Sequence, residues 1–175
     1  THAELYLRVA RLAAAMKAEG IGPGDVVAAY MPNLPETLIT LLAASSIGAI
    51  FTSASPDFGV QGVLDRFGQV EPKLLFVADG YFYNGKEIDT LGKTREIAVQ
   101  LPSVKKVIVS PYVHETGHDL SAIPNALTRG DFVAPWRGVR EIEFNRLPFD
   151  HPLYILYSSG TTGVPKCIVH SAGGA

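Results

Sequence analysis

The sequence predicts an α/β fold built on a largely parallel sheet, and three observations carry that prediction. Short apolar runs of strand type alternate with amphipathic stretches of ten or more residues. The runs lie too far apart to be joined as hairpins, so crossover helices must connect them in parallel. Pro and Gly clusters fall between the runs rather than inside them.

Leu5, Val9, Leu12 and Met16 recur at helical spacing, so residues 2 to 19 read as an amphipathic helix. Thr1-His2-Ala3-Glu4 is a capping box at its start, and Gly20-Ile21-Gly22-Pro23-Gly24-Asp25 ends it. Val26 to Met31 is a strand, and Pro32-Asn33-Leu34-Pro35 opens a second helix over Glu36 to Ser46. Ala49 to Ser53 is the next strand, broken by Ser55-Pro56-Asp57-Phe58-Gly59. A helix over Val60 to Val70 stops at Glu71-Pro72, and a buried strand follows at Leu74 to Ala78. Asp79 to Lys86 reads as a polar and aromatic loop, Asp89 to Leu101 as a helix and Val104 to Ser110 as a strand. From 111 to 150 the pattern is irregular, with a short helix near Ser121 to Thr128. Leu153 to Tyr157 is an apolar strand running directly into Ser158-Ser159-Gly160.

At 175 residues the chain suffices for one domain with a sizeable core, and 47% hydrophobic content argues for a folded one. A formal net charge of −2 gives no electrostatic footprint for nucleic acid or an anionic membrane, so neither is expected as a partner. The single cysteine, Cys167, rules out an internal disulfide and a Cys-based zinc cluster, and it suits a reducing compartment. The longest apolar run, Leu38 to Phe51, is interrupted by Thr40, Ser45 and Ser46 and is too short to span a bilayer. No basic-then-apolar segment opens the chain, so a cytoplasmic location is expected. Thr1 in place of methionine, and the ending Ser171-Ala172-Gly173-Gly174-Ala175, read as a piece cut from a longer protein.

Two motifs invite chemistry. His114-Glu115-Thr116-Gly117-His118 matches the zinc-protease formula H-E-x-x-H, which works only on a helix that turns both imidazoles to one face. Pro111 upstream, Gly117 inside and the lack of apolar periodicity deny it that helix. The segment reads as a solvated loop, and no metal site is expected.

YSSGTTGVPK, Tyr157 to Lys166, fails the Walker spacing: Gly160 and Gly163 are too close, and Cys167 replaces the magnesium-binding hydroxyl. Cys167-Ile168-Val169 continues as a strand, where a Walker loop would open a helix. The composition nevertheless suits a polyphosphate. Gly160 and Gly163 allow close backbone approach, and Ser158, Ser159, Thr161 and Thr162 supply hydroxyl donors. Lys166 adds a cation, and Pro165 limits the freedom of the loop before it. The alternative is an ordinary Ser/Gly/Thr turn between two strands.

Read as a unit, YSSGTTGVPKCIVH resembles the signature loop of the adenylate-forming acyl-CoA synthetases, [ST]-S-G-[ST]-[ST]-G-x-P-K followed by a strand. Every fixed position is present from Ser158 through Lys166. Gly48 to Gly59, Val60 to Gln69 with Glu71-Pro72-Lys73, and Phe149 to Tyr157 are similar to the acetoacetyl-CoA synthetase branch of that family. The resemblance implies that residues 1–175 are part of an N-terminal AMP-binding (adenylation) domain, with the C-terminal domain absent and the remainder of its own chain as partner.

It also implies a ligase whose small-molecule substrates are acetoacetate, ATP and coenzyme A, with Mg2+ accompanying the ATP. Ser159, Gly160, Thr161, Thr162 and Gly163 would bind its β- and γ-phosphates, and Lys166 would supply positive charge beside them. The family's catalytic lysine lies in the mobile C-terminal domain, so no catalytic residue is expected within 1–175, and this stretch alone should be inactive. His170 stands where many relatives carry a histidine near the acyl pocket; the alternative is a histidine capping a strand end. Lys86 stands where related acetyl-CoA synthetases reach a coenzyme A phosphate, although Tyr83 occupies the place of a second basic residue; the alternative is a solvated loop lysine. Phe58 and Phe67 read as core, Trp136 as a loop anchor and Cys167 as a small buried side chain. Two other functions compete: another short-chain acyl-CoA synthetase, for acetate, propionate or butyrate, and a nucleotide-binding module without catalysis.

Overall fold

A computed structural model of the chain describes residues 1–158 and 163–175. Helix α1 (His2–Ala18) carries the expected capping box: the Thr1 hydroxyl accepts from the Glu4 N–H, and Glu4 reaches back to the Thr1 amine. Strand β1 (Val26–Tyr30), helix α2 (Pro35–Ser46), strand β2 (Ile50–Ala54), helix α3 (Val60–Phe67) and strand β3 (Leu74–Ala78) follow in the alternation read from the sequence. Next come a two-stranded hairpin, β4 (Gly80–Tyr83) and β5 (Lys86–Asp89), helix α4 (Leu91–Gln100) and strand β6 (Lys106–Ser110). Strand β7 (Ala126–Thr128), helix α5 (Arg129–Val133), a 3-10 turn (Ala134–Trp136), and strands β8 (Pro152–Ser158) and β9 (Lys166–Ser171) complete the described elements.

One seven-stranded sheet has the order β7-β6-β3-β1-β2-β8-β9. Six strands pair in parallel and only β9 runs antiparallel, against β8. The interior strand β3, Leu-Leu-Phe-Val-Ala, is buried along its whole length, as a parallel strand covered on both faces must be. Its side chains alternate between two cores. Leu74 and Phe76 join Leu12, Met16, Ile39 and Phe132 beneath α1, α2 and α5. Leu75 and Val77 join Phe67, Ile97 and Val107 beneath α3 and α4. No helix among the described residues is long and apolar enough to cross a membrane.

Four expectations need correction. Residues 79–86 are not a loop: Asn84 and Gly85 both take positive φ, 49° and 72°, and close the tight turn of the β4–β5 hairpin. Residues 121–128 form no helix, because Pro124 and the left-handed Asn125 (φ 52°) break it and Ala126–Thr128 adds a strand alongside β6. Phe58 is not core: it is 37% exposed, and the Arg66 guanidinium lies 4.0 Å above its ring. Cys167 is half-buried rather than buried. Phe67 is fully buried, and Trp136 packs against the first core.

Candidate nucleotide-phosphate site

Strand β8 lies parallel to β2, with Phe51 opposite Tyr154 and Thr52 opposite Ile155. Its C-terminal end therefore emerges at the edge of the sheet where open α/β folds hold their ligands. The chain returns as β9, with Ser158 directly opposite Lys166. The two strands are hydrogen-bonded up to this pair, and Lys166 stands exposed at the start of β9. Gly163 has φ 99°, a conformation that side-chain-bearing residues rarely take. Ser159, Gly160, Thr161 and Thr162 lie outside the described residues.

Residues unremarked in the sequence seat this hairpin. The Gln69 side-chain amide, just past the end of α3, donates to the Pro165 carbonyl at 2.8 Å. Its oxygen lies 3.6 Å from the Cys167 thiol, so one side chain grips both the loop's last proline and the start of β9. Thr52 Oγ1 hydrogen-bonds the Ile155 carbonyl and the Tyr157 hydroxyl, each at 2.9 Å. Burial pushes Tyr157 up to about 12, with Cys167 adding to the rise and Thr52 and Arg66 opposing it, so the phenol stays protonated at neutral pH. On the neighbouring turn the buried Tyr30 hydroxyl reaches the carbonyls of Pro56 (2.9 Å) and Phe58 (2.7 Å). These partners are hidden from a sequence reading because each contact joins distant segments.

Lys166, Ile168 and His170 alternate onto one face of β9. His170 sits about 14 Å from Lys166 along the strand, by four residue steps. It is the penultimate residue of β9. Its ring stacks on Tyr154, directly across the hairpin, at 4.8 Å and 26°. Lys86 lies elsewhere, exposed at the tip of the β4–β5 hairpin and paired with Tyr83. That hairpin leaves the C-terminal end of β3, so it projects from the same sheet edge as the C-terminal end of β8.

His114 to His118 is not helical, so the zinc formula has no geometric basis. The segment is not simply solvated either. Asp79 accepts from the backbone N–H groups of Tyr112 (2.8 Å), Val113 (3.0 Å) and His114 (2.8 Å), and His118 Nε2 lies 2.9 Å from its carboxylate. Burial raises the Asp79 pKa, but His118 and the three N–H groups outweigh it and hold the carboxyl below its ordinary range. Among the described residues no group of three His, Cys, Asp or Glu side chains could hold a metal ion.

The family model described as "AMP-binding enzyme" matches residues 1–175. The chain belongs to the AMP-binding enzyme family. Within this family, the acetoacetyl-coenzyme A synthetase of Rhizobium meliloti (strain 1021) is 54% identical over 171 residues, covering 98% of this chain and 26% of that protein. The acetoacetyl-CoA synthetase of Xenopus tropicalis is 52% identical over 178 residues, covering 99% of this chain and 26% of the relative. The solved acetoacetyl-CoA synthetase from Streptomyces lividans superimposes with a TM-score of 0.90 at 45% identity, over 99% of this chain and 26% of its own. The chain therefore spans about a quarter of the length of the curated relatives it matches.

Proposed function

We propose that this chain is part of the N-terminal adenylation domain of an ATP-dependent acid–thiol ligase acting on acetoacetate, and that it supplies the loop that holds ATP's phosphates. A carboxylate oxygen attacks the α-phosphorus, the bond to the β-phosphate's bridging oxygen breaks, and pyrophosphate leaves with that electron pair. The coenzyme A thiolate then attacks the acyl carbon and expels AMP. The observation that carries the reading is the β8–β9 hairpin. It sets Ser158 and Lys166, the residues on either side of the motif, opposite each other at the ligand-binding edge of a parallel sheet. Backbone N–H groups and hydroxyls of Ser159, Gly160, Thr161, Thr162 and Gly163 would cradle the β- and γ-phosphates. Lys166 would offset charge growing on the departing pyrophosphate, a positioning and electrostatic task.

The acyl assignment rests on the acetoacetyl-CoA synthetase names of the similar proteins. His170, on the same face as Lys166, is the residue we place toward the acyl group, and exposed Lys86 the one toward a coenzyme A phosphate. Mg2+ would arrive with ATP, and no side chain described here is assigned to it. The single cysteine keeps the cytoplasm as the proposed location.

The test uses the full-length protein. Lys166→Ala should lower acetoacetate-dependent ATP–pyrophosphate exchange by about 100-fold, while exposed Lys105→Ala leaves it unchanged. Equal effects of the two would reduce the loop to a turn. Thioester formation faster with acetate, propionate or butyrate than with acetoacetate would overturn the acyl assignment.

A further inference from the structure

A second cluster of positive charge lies well away from the loop. Arg8 and Arg11, one helical turn apart on α1, share a face of that helix. Arg129, the first residue of α5, comes to meet them. With Glu36 and Ser110 they line a cavity of about 420 Å3 beside the C-terminal end of β6. Four strand spacings separate β6 from β8 in the sheet, roughly 19 Å, so this cavity and the 159–165 loop are different places on one edge.

The cluster is under-satisfied as it stands. Among the described residues Glu36 is the one carboxylate lining the cavity, and it pairs with Arg8. Glu4, on the outer flank of α1, is engaged by the Thr1 amine and hydroxyl. Three guanidiniums against one carboxylate leave two positive charges in surplus. Arg129 makes only long bonds, to the Glu36 carbonyl (3.4 Å) and Thr40 Oγ1 (3.3 Å). Burial pushes its guanidinium down to about 10, with Glu36 resisting and Arg8 adding to the fall, so it remains charged at neutral pH. Arg11 Nε is buried without a hydrogen-bond partner among the described residues. So is the hydroxyl of Ser110, a residue only 1% exposed. A buried donor left unmade is costly, and both residues belong to the lining of one cavity whose surplus positive charge points to an anionic occupant.

We propose that the cavity framed by Arg8, Arg11, Arg129 and Ser110 binds a small phosphate dianion. Two surplus charges match a dianion. Donors arriving from α1, α5 and the end of β6 approach from different directions, which suits a tetrahedral oxyanion better than a planar carboxylate. Such a site would sense inorganic phosphate, or the phosphoryl group of a small metabolite, independently of the nucleotide loop.

Isothermal titration calorimetry on full-length protein carrying Lys166→Ala, which removes the loop's cation, tests this with inorganic phosphate and pyrophosphate as probes. One binding event should remain, and adding Arg11→Gln should weaken it at least tenfold. Ser110→Ala, which removes a hydroxyl without disturbing charge, should weaken it several-fold and serves if Arg11→Gln does not fold. Bare phosphate binding as tightly as pyrophosphate identifies a single-phosphoryl site, and tighter pyrophosphate binding extends the occupant to a diphosphate. No residual binding, binding indifferent to both substitutions, or tighter binding of malonate than of phosphate would each overturn the assignment.

Discussion

A single carboxylate, Asp79, ties the end of β3 to residues 112–118, which have no regular structure of their own. Its side chain is 1% exposed and that of His118 5% exposed, so the cluster is shielded from water and its bonds are strong. Asp79→Asn presents an amide N–H2 to donors and leaves at least one without an acceptor, so stability should fall by about 3 kcal/mol in urea unfolding. The pH dependence has a definite sign. The folded-state pKa of Asp79 is depressed, so its stabilisation is complete above the ordinary carboxyl value of about 4 and is lost as pH falls through the lower folded value. Thermal melts between pH 6 and 3 should show wild type losing stability more steeply than Asp79→Asn. Parallel curves would show that this carboxylate is not the group responsible.

Among the elements, the β4–β5 hairpin depends most directly on one residue. Gly85 at φ 72° completes its turn, and Ala there should cost about 1–2 kcal/mol locally. Hydrogen exchange should quicken across residues 80–89 while β3 and β6 stay protected. An unchanged exchange pattern would mean that the turn tolerates a side chain. This hairpin also shows where sequence reading stops. The long helices and the buried strands declared themselves by period, and the loop after β8 by fixed spacing within ten residues. Asn84-Gly85 was a turn signal too, but its flanking strands are four residues each, mix buried and exposed side chains, and lack an apolar run to announce them. Strand β7 is three residues long and exists because β6 offers it an edge. The residues that seat the loop were illegible for a related reason: Gln69 meets Pro165 across 96 residues, and Thr52 meets Ile155 across 103. Only the assembled sheet brings them together.

For the molecule as a whole, the two edges of the sheet are unequal. The short β7 lies at one, and the β8–β9 hairpin at the other leaves apolar side chains in the open. Leu156 (47% exposed) and Ile168 (46%) sit opposite each other on one face, with Val169 (57%) on the other. Exposed apolar surface of this kind favours association. The 175-residue chain alone should therefore scatter light as an associating species, and Ile168→Glu should shift it toward monomer. A monomeric wild-type chain would mean that this face does not drive association. The 103 residues between Thr52 and Ile155 carry one more consequence, and it is measured in time. A ribosome adding roughly 5–20 residues per second needs on the order of 5–20 s to travel from β2 to β8. Throughout that interval the newborn β2 has β1 on one side and an open hydrogen-bonding edge on the other. The strand that delivers the phosphate loop is thus also the late arrival that shields the nascent sheet from its neighbours.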